Sequence, residues 1–158
     1  MALTPTTSAL YDLQAAPGRR ARGADVYGRL RVAKPQHTAT GTGQATISMV
    51  TLPAGRIRVF SFLSAVSKIV AAVAAEVLAV GYAAYTNMSG TAVAADTGAF
   101  GTSIATPTTV PTFLTLPAVG YTDFETENGL TITFTSSGGD TTSGEVTELV
   151  IVYEELDT

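Results

Sequence analysis

The apolar residues of this chain fall into short alternating runs separated by glycine, proline and threonine, a pattern of half-buried strands. Ala45 to Leu52 alternates small or polar with apolar side chains and stops at the turn residues Pro53-Ala54-Gly55. Arg56 to Ser64 predicts a second strand, with Ile57 and Val59 turned inward and Arg56 and Arg58 outward. Residues 65–75 stay open: alanine favours a helix there, whereas the valines further on lead into a strand over 76–85. The Gly, Thr, Ala and Ser-rich stretch 87–109 predicts an ordered excursion anchored by Val93, Phe100 and Ile104. Thr112 to Leu116 predicts a short strand ended by Pro117. Tyr121 to Glu127 and Leu130 to Thr135 are alternating runs joined by Asn128-Gly129, which predicts a hairpin with a type I′ turn. A polar loop over 136–144 then leads to a last strand, Glu145 to Glu154. Seven or eight short strands with threonine facing out imply an all-β fold, a single β-sandwich or jelly-roll-like domain over residues 44–158.

Residues 1–43 follow a different pattern. They hold three prolines, five glycines and six of the nine basic residues, with few apolar side chains. Such a stretch buries too little surface to form its own core. A disordered tail is one reading. Tyr11, Tyr27, Leu30 and Val32 are anchors that favour the other, an extended basic N-terminal arm that orders against the body or a neighbouring copy.

Charge sharpens this division. All nine lysines and arginines lie within the first 68 residues, against two acids there, a formal +7; the remaining 90 residues carry eleven acids and no cation, a formal −11. The net −4 hides a polarised molecule whose basic end is attracted to the acidic end of a neighbour. Overall charge is lean at 14%, against 46% hydrophobic residues. That suits a surface covered in an assembly, and equally a genome that favours Ala, Gly, Thr and Arg. The first ten residues lack the basic-then-apolar layout of a signal peptide. The apolar run from Ile69 to Tyr85 is broken by Glu76 and Gly81 and is too short for a membrane span. The expectation is a soluble protein with no membrane partner.

Little here supports catalysis. The chain has no cysteine, hence no thiolate metal site and no thiol nucleophile. His37 is the only histidine and sits in the arm, far from any carboxylate cluster, so a solvent-exposed or arm-docking role is expected. Asp123, Glu125 and Glu127 fall on one face of one strand. They read as a solvated face that discourages edge pairing, or as an acidic docking strip; neither a glycosidase pair nor a calcium loop fits. Thr97 to Thr102 is glycine-rich but lacks the lysine of a phosphate loop. No catalytic residue, metal, cofactor or small-molecule substrate is implied.

The basic arm is the constellation that rises above background. Arg19, Arg20, Arg22, Arg29 and Arg31 are interleaved with Tyr27, Leu30 and Val32. Six basic residues over sixteen positions make a thin phosphate binder, and the acidic body would repel nucleic acid. The apolar interleaving favours docking on protein.

Leu52-Pro53-Ala54-Gly55-Arg56-Ile57-Arg58, Val80 to Tyr85, the Gly90 to Asp96 stretch and the closing Gly129 to Thr133 and Val150 to Tyr153 patterns resemble small virion proteins of tailed bacteriophages, the capsid decoration or cement kind. The resemblance covers roughly residues 50–155. It implies a non-enzymatic β-rich protein of the phage head, assembled in the host cytoplasm. Its partners would be the major capsid protein and copies of itself, in a homo-oligomer for which a trimer is one form. Extended termini would reach onto neighbours and stabilise the shell, with many copies gaining by avidity. A small coat, neck or tail protein is the nearest alternative. A carbohydrate-binding β-sandwich is another, weakened by the absence of tryptophan and the scatter of six tyrosines.

Overall fold

The computed structural model describes residues 30–40, 46–68, 76–105, 111–138 and 143–156, and every regular element among them is a strand. In chain order these are β1 (Leu30–Ala33), β2 (Gln36–Thr38), β3 (Thr46–Leu52), β4 (Gly55–Lys68), β5 (Val77–Tyr82), β6 (Tyr85–Thr86), β7 (Ala92–Val93), β8 (Asp96–Ala105), β9 (Thr112–Phe113), β10 (Thr122–Thr126), β11 (Leu130–Ser137) and β12 (Val146–Leu156). No helix among the described residues is long and apolar enough to cross a membrane.

The strands form a β-sandwich. The first sheet has the order β1-β12-β4-β10, with β2 also on β12 and β9 also on β4; the second has the order β3-β11-β5-β8. β6 and β7 make a small separate hairpin. Between the sheets lies one apolar core. Ile57, Val59, Val66, Phe124, Leu149 and Ile151 come to it from the first sheet, and Leu52, Leu78, Val80, Phe100, Leu130, Ile132 and Phe134 from the second. One end is aromatic: Tyr82 meets Phe124 edge-on at 5.2 Å between ring centres, and Phe100 lies 6.0 Å from Phe124. Burial holds the Tyr82 hydroxyl above the ordinary tyrosine range, helped by the nearby Asp96 charge and Tyr85; burial does the same to Tyr85.

Alternation places most side chains as the sequence leads one to expect. Ile57 and Val59 are fully buried, and Thr131 and Thr135 of β11 are opposite Thr51 and Thr46 of β3. The Thr46 and Thr135 hydroxyls lie 2.9 Å apart, and those of Thr51 and Thr131 3.0 Å. Phe100, expected as an anchor, is wholly buried in β8. The open stretch after residue 64 resolves in part: β4 continues unbroken to Lys68, and residues 69–75 lie outside the described residues. The expected strand over 76–85 is shorter, because β5 ends at Tyr82 and Tyr85 belongs to the hairpin. The one expected over 112–116 shrinks to β9, since Leu114 turns into the core and Leu116 donates its N–H to the Phe100 carbonyl at 3.1 Å.

The Asn128-Gly129 hairpin does not form. β10 pairs with β4 in the first sheet, and β11 pairs with β3 and β5 in the second, so Asn-Gly turns the chain from one sheet to the other. Gly129 has φ +94° while Asn128 stays at negative φ, which excludes a type I′ turn. A Cβ on Gly129 would lie 2.5 Å from the Leu52 carbonyl oxygen, so the corner needs glycine for space as well as for φ. The physical reason is burial. Phe124 and Thr126 of β10 and Leu130, Ile132 and Phe134 of β11 all point into the same core, which they enclose from opposite sides.

Candidate interaction surface

The first sheet's outer face is shaped by an irregularity in its longest strand. Phe60 of β4 is opposite Val152 of β12, and Ala65 is opposite Val150, so four residues of β4 face the single Ile151. Through this bulge the alternation inverts. Ile57 and Val59 point inward before it, Val66 and Lys68 after it. Ser64 closes the gap: its hydroxyl donates to the Phe60 carbonyl at 2.7 Å and accepts from the Val152 N–H at 3.0 Å, standing in for a lost ladder bond. Its carbonyl accepts from the Leu114 N–H at 2.9 Å.

The bulge turns β4 inside out. Ser61 and Ser64 are fully buried, whereas Phe62 and Leu63 are 52% and 39% exposed. Tyr121, Phe113 and, in the turn next to Gly120, Val119 are exposed as well. Phe62 packs edge-on to Phe60 at 6.0 Å and over Gly120, whose Cβ would lie 2.7 Å from the Phe62 ring. Tyr121 lies 6.4 Å from Phe60, and Phe113 is opposite Ala65 on the same outer face.

Below this apolar region runs a ladder of ion pairs. Asp123 is directly opposite Arg58, and Glu125 opposite Arg56. Arg58 grips Asp123 with two hydrogen bonds, Nε to Oδ1 at 2.6 Å and Nη2 to Oδ2 at 2.8 Å; Arg56 Nε is 3.1 Å from Glu125 Oε1. The hydrogen bonds from Arg58 hold the Asp123 carboxyl below the usual carboxylate range and raise the guanidinium's own affinity for its proton. The Arg58 guanidinium also lies over the Tyr121 ring, 4.5 Å from its centre. Glu127 is separated from these two acids: it sits beyond β10, exposed, with its N–H bonded to the Thr86 carbonyl at 2.9 Å.

The basic arm divides as well. Arg19, Arg20, Arg22, Tyr27 and Arg29 lie outside the described residues, whereas Leu30, Arg31 and Val32 form most of β1, on the first sheet beside β12. Leu30 and Val32 are more than half exposed; Arg31 Nε is 3.3 Å from Glu155 Oε1. His37 in β2 is half-buried, its ring 5.9 Å from that of Phe134 across the core. Thus Leu30–Ala33 and Gln36–Thr38 are strands of the sandwich's own sheet.

Sequence patterns gave no hint of one ionic cluster. Lys68 Nζ is 2.9 Å from Glu76 Oε2 and 3.1 Å from Glu145 Oε2, with all three side chains almost wholly buried. It ties the end of β4 to the chain just before β5 and just before β12. Because the bulge inverts the alternation, Lys68 falls on the inner face, which a reading of strand period alone would not show. The apolar outer face had one signal in the sequence: Phe62-Leu63, two large apolar neighbours in an otherwise alternating strand.

No protein-family model and no curated protein matches the chain. Two solved structures match the chain. A chain of the cyanophage Pam1 capsid asymmetric unit matches at 17% identity with a TM-score of 0.54, covering 97% of this chain and 100% of that one. A chain of the acid-stable capsid of Helicobacter pylori bacteriophage KHP30 matches at 12% identity and a TM-score of 0.44, covering 82% and 90%. The Pam1 match shows a shared fold.

Proposed function

We propose that this chain is a non-enzymatic structural protein of a phage virion, and within that class a capsid decoration or cement protein. The observation that carries the reading is the fold shared end to end with a chain of a phage capsid. The polarity of charge and an outer sheet face that combines exposed apolar side chains with ion pairs support it. In this reading the protein sits on the phage head. Arg19, Arg20, Arg22, Tyr27 and Arg29 dock on neighbouring subunits, and Leu30, Arg31 and Val32 continue that contact from β1. Of the acids offered to such an arm, Glu127 is exposed beyond β10, whereas Asp123 and Glu125 are already paired with Arg58 and Arg56. The partners are the major capsid protein and further copies of this chain.

The test is co-sedimentation of the purified protein with heads of the phage that encodes it, after bound protein has been stripped. Binding that makes the heads release DNA at a higher temperature is expected, and it should weaken when residues 1–29 are removed. This truncation spares β1 and β2, which one at residue 43 would delete from the sheet. Failure to pellet with the heads, together with absence of the protein from purified virions, would reject the reading.

A further inference from the structure

We infer that the apolar outer face of the first sheet, built on Phe62, Leu63, Phe113, Val119 and Tyr121, is a contact between two copies of this chain. This names the surface behind the self-association in the proposed function and rests on that part of it.

The first argument is the inverted burial at the bulge. A strand that placed Leu63 inward would gain roughly 1.5–3 kcal/mol by burying it. Instead two serines take the buried positions, and the Ser61 hydroxyl has no hydrogen-bond partner. That arrangement forgoes core stability to display two large apolar side chains side by side. A covering partner recovers the loss.

The second argument is extent. Aromatic side chains bury about 150–250 Å² each, so these five, at their exposures, offer on the order of 500 Å² of apolar surface. That is more than half of the about 800 Å² per partner of a standard interface. The aromatic content and lack of free charge match the centre of such interfaces.

Charge selects the occupant. The cation at the patch, Arg58, is held by Asp123 through two hydrogen bonds and is also opposite Glu154 of β12, so the surface offers no free cation to a nucleic acid. An apolar patch without a free cation packs on its own copy, as a two-fold contact between identical chains requires. The inferred contact is made face to face by the sheets of the two copies and does not use the arm.

The experiment is size-exclusion chromatography with light scattering on the full chain, up to about 100 µM, at about 0.15 M and about 1 M salt. The expected result is a dimer or larger assembly that persists in high salt, because burial of apolar surface is not screened. Val119→Asp, at a 71% exposed turn position, should weaken it at least tenfold, and Phe62→Ser likewise. Met88→Asp, an equal charge at an exposed position on the β6–β7 hairpin, should leave it unchanged. Circular dichroism checks folding, and Val119→Asp decides if Phe62→Ser unfolds. A wild-type monomer at every concentration and salt would overturn the inference. So would an assembly lost in high salt, indifferent to Val119→Asp, or equally sensitive to Met88→Asp. Self-association without head binding leaves this interface standing and rejects only the virion reading; head binding by a chain that stays monomeric does the reverse.

Discussion

The two ends of strand β4 carry the same chemistry in opposite settings. At its start Arg56 and Arg58 meet Glu125 and Asp123 on the outer face, with side chains about a third to more than half exposed. At its end Lys68 meets Glu76 and Glu145 with all three side chains at 3% exposure or less. Water and salt screen the first set, and each pair there contributes under about 1 kcal/mol. In the second, removing one partner leaves the others charged in a medium that cannot solvate them. The bulge between the two ends makes this difference. Without the inversion of alternation at residues 61–64, Lys68 would face out like the arginines.

The largest effect should come from the buried end. Lys68→Met should cost about 3–5 kcal/mol in urea unfolding, by taking the shared ammonium from two buried carboxylates. Adding Glu76→Leu and Glu145→Leu should restore most of the loss; a triple variant no better than Lys68→Met would show that these carboxylates are held by more than the ammonium.

Next comes the bulge that separates the two ends. Ser64→Ala removes the acceptor of the Val152 N–H and should cost about 1–3 kcal/mol. Hydrogen exchange should then quicken at Val152 before it does so at Val80 in the second sheet. Uniform loss of protection would mean that the bulge is not a local unit.

At the exposed end, a double-mutant cycle of Arg58→Ala and Asp123→Ala should give a coupling below about 1 kcal/mol. The coupling should shrink further in about 1 M salt. A value as large as that of the buried cluster would erase the distinction between the two ends.

The smallest effect is in pH. The Asp123 carboxyl is held below its unfolded range, so its contribution is present above about pH 4. It is lost as pH falls through the lower, folded value. Asp123→Asn should flatten this acid limb by a few tenths of a kcal/mol and leave stability near neutral pH little changed. An acid limb identical to the parent's would remove the pair from the stability of the fold.

Much of the sandwich could be read from local pattern. The expected strands over 45–52 and 145–154 appear as Thr46–Leu52 and Val146–Leu156, because a two-residue period with one buried face is a property of the segment itself. Ile57 and Val59 inside with Arg56 and Arg58 outside follow from the same period. It misleads where a second chain segment decides. Tyr121 to Glu127 and Leu130 to Thr135 alternate as a hairpin would, yet each pairs better elsewhere: β10 with the arginines of β4, β11 with the threonines of β3. Of the candidate site, Leu30 to Val32 and the Asp123 and Glu125 pair could be located by residue type. Phe113, Val119 and Tyr121 gather beside Phe62 only through β9 and the 117–120 turn.

Amino-acid order alone determined the class of fold, the inward faces of the long strands and the separation of charge along the chain. Each depends on residue type and on spacing within a segment. Tertiary structure decided which strands pair, where β4 inverts and what each charge faces. Those outcomes rest on contacts between residues far apart in the chain, such as Ser64 with Val152 and Lys68 with Glu145, whose free energy exists only once the sheets have closed on one core.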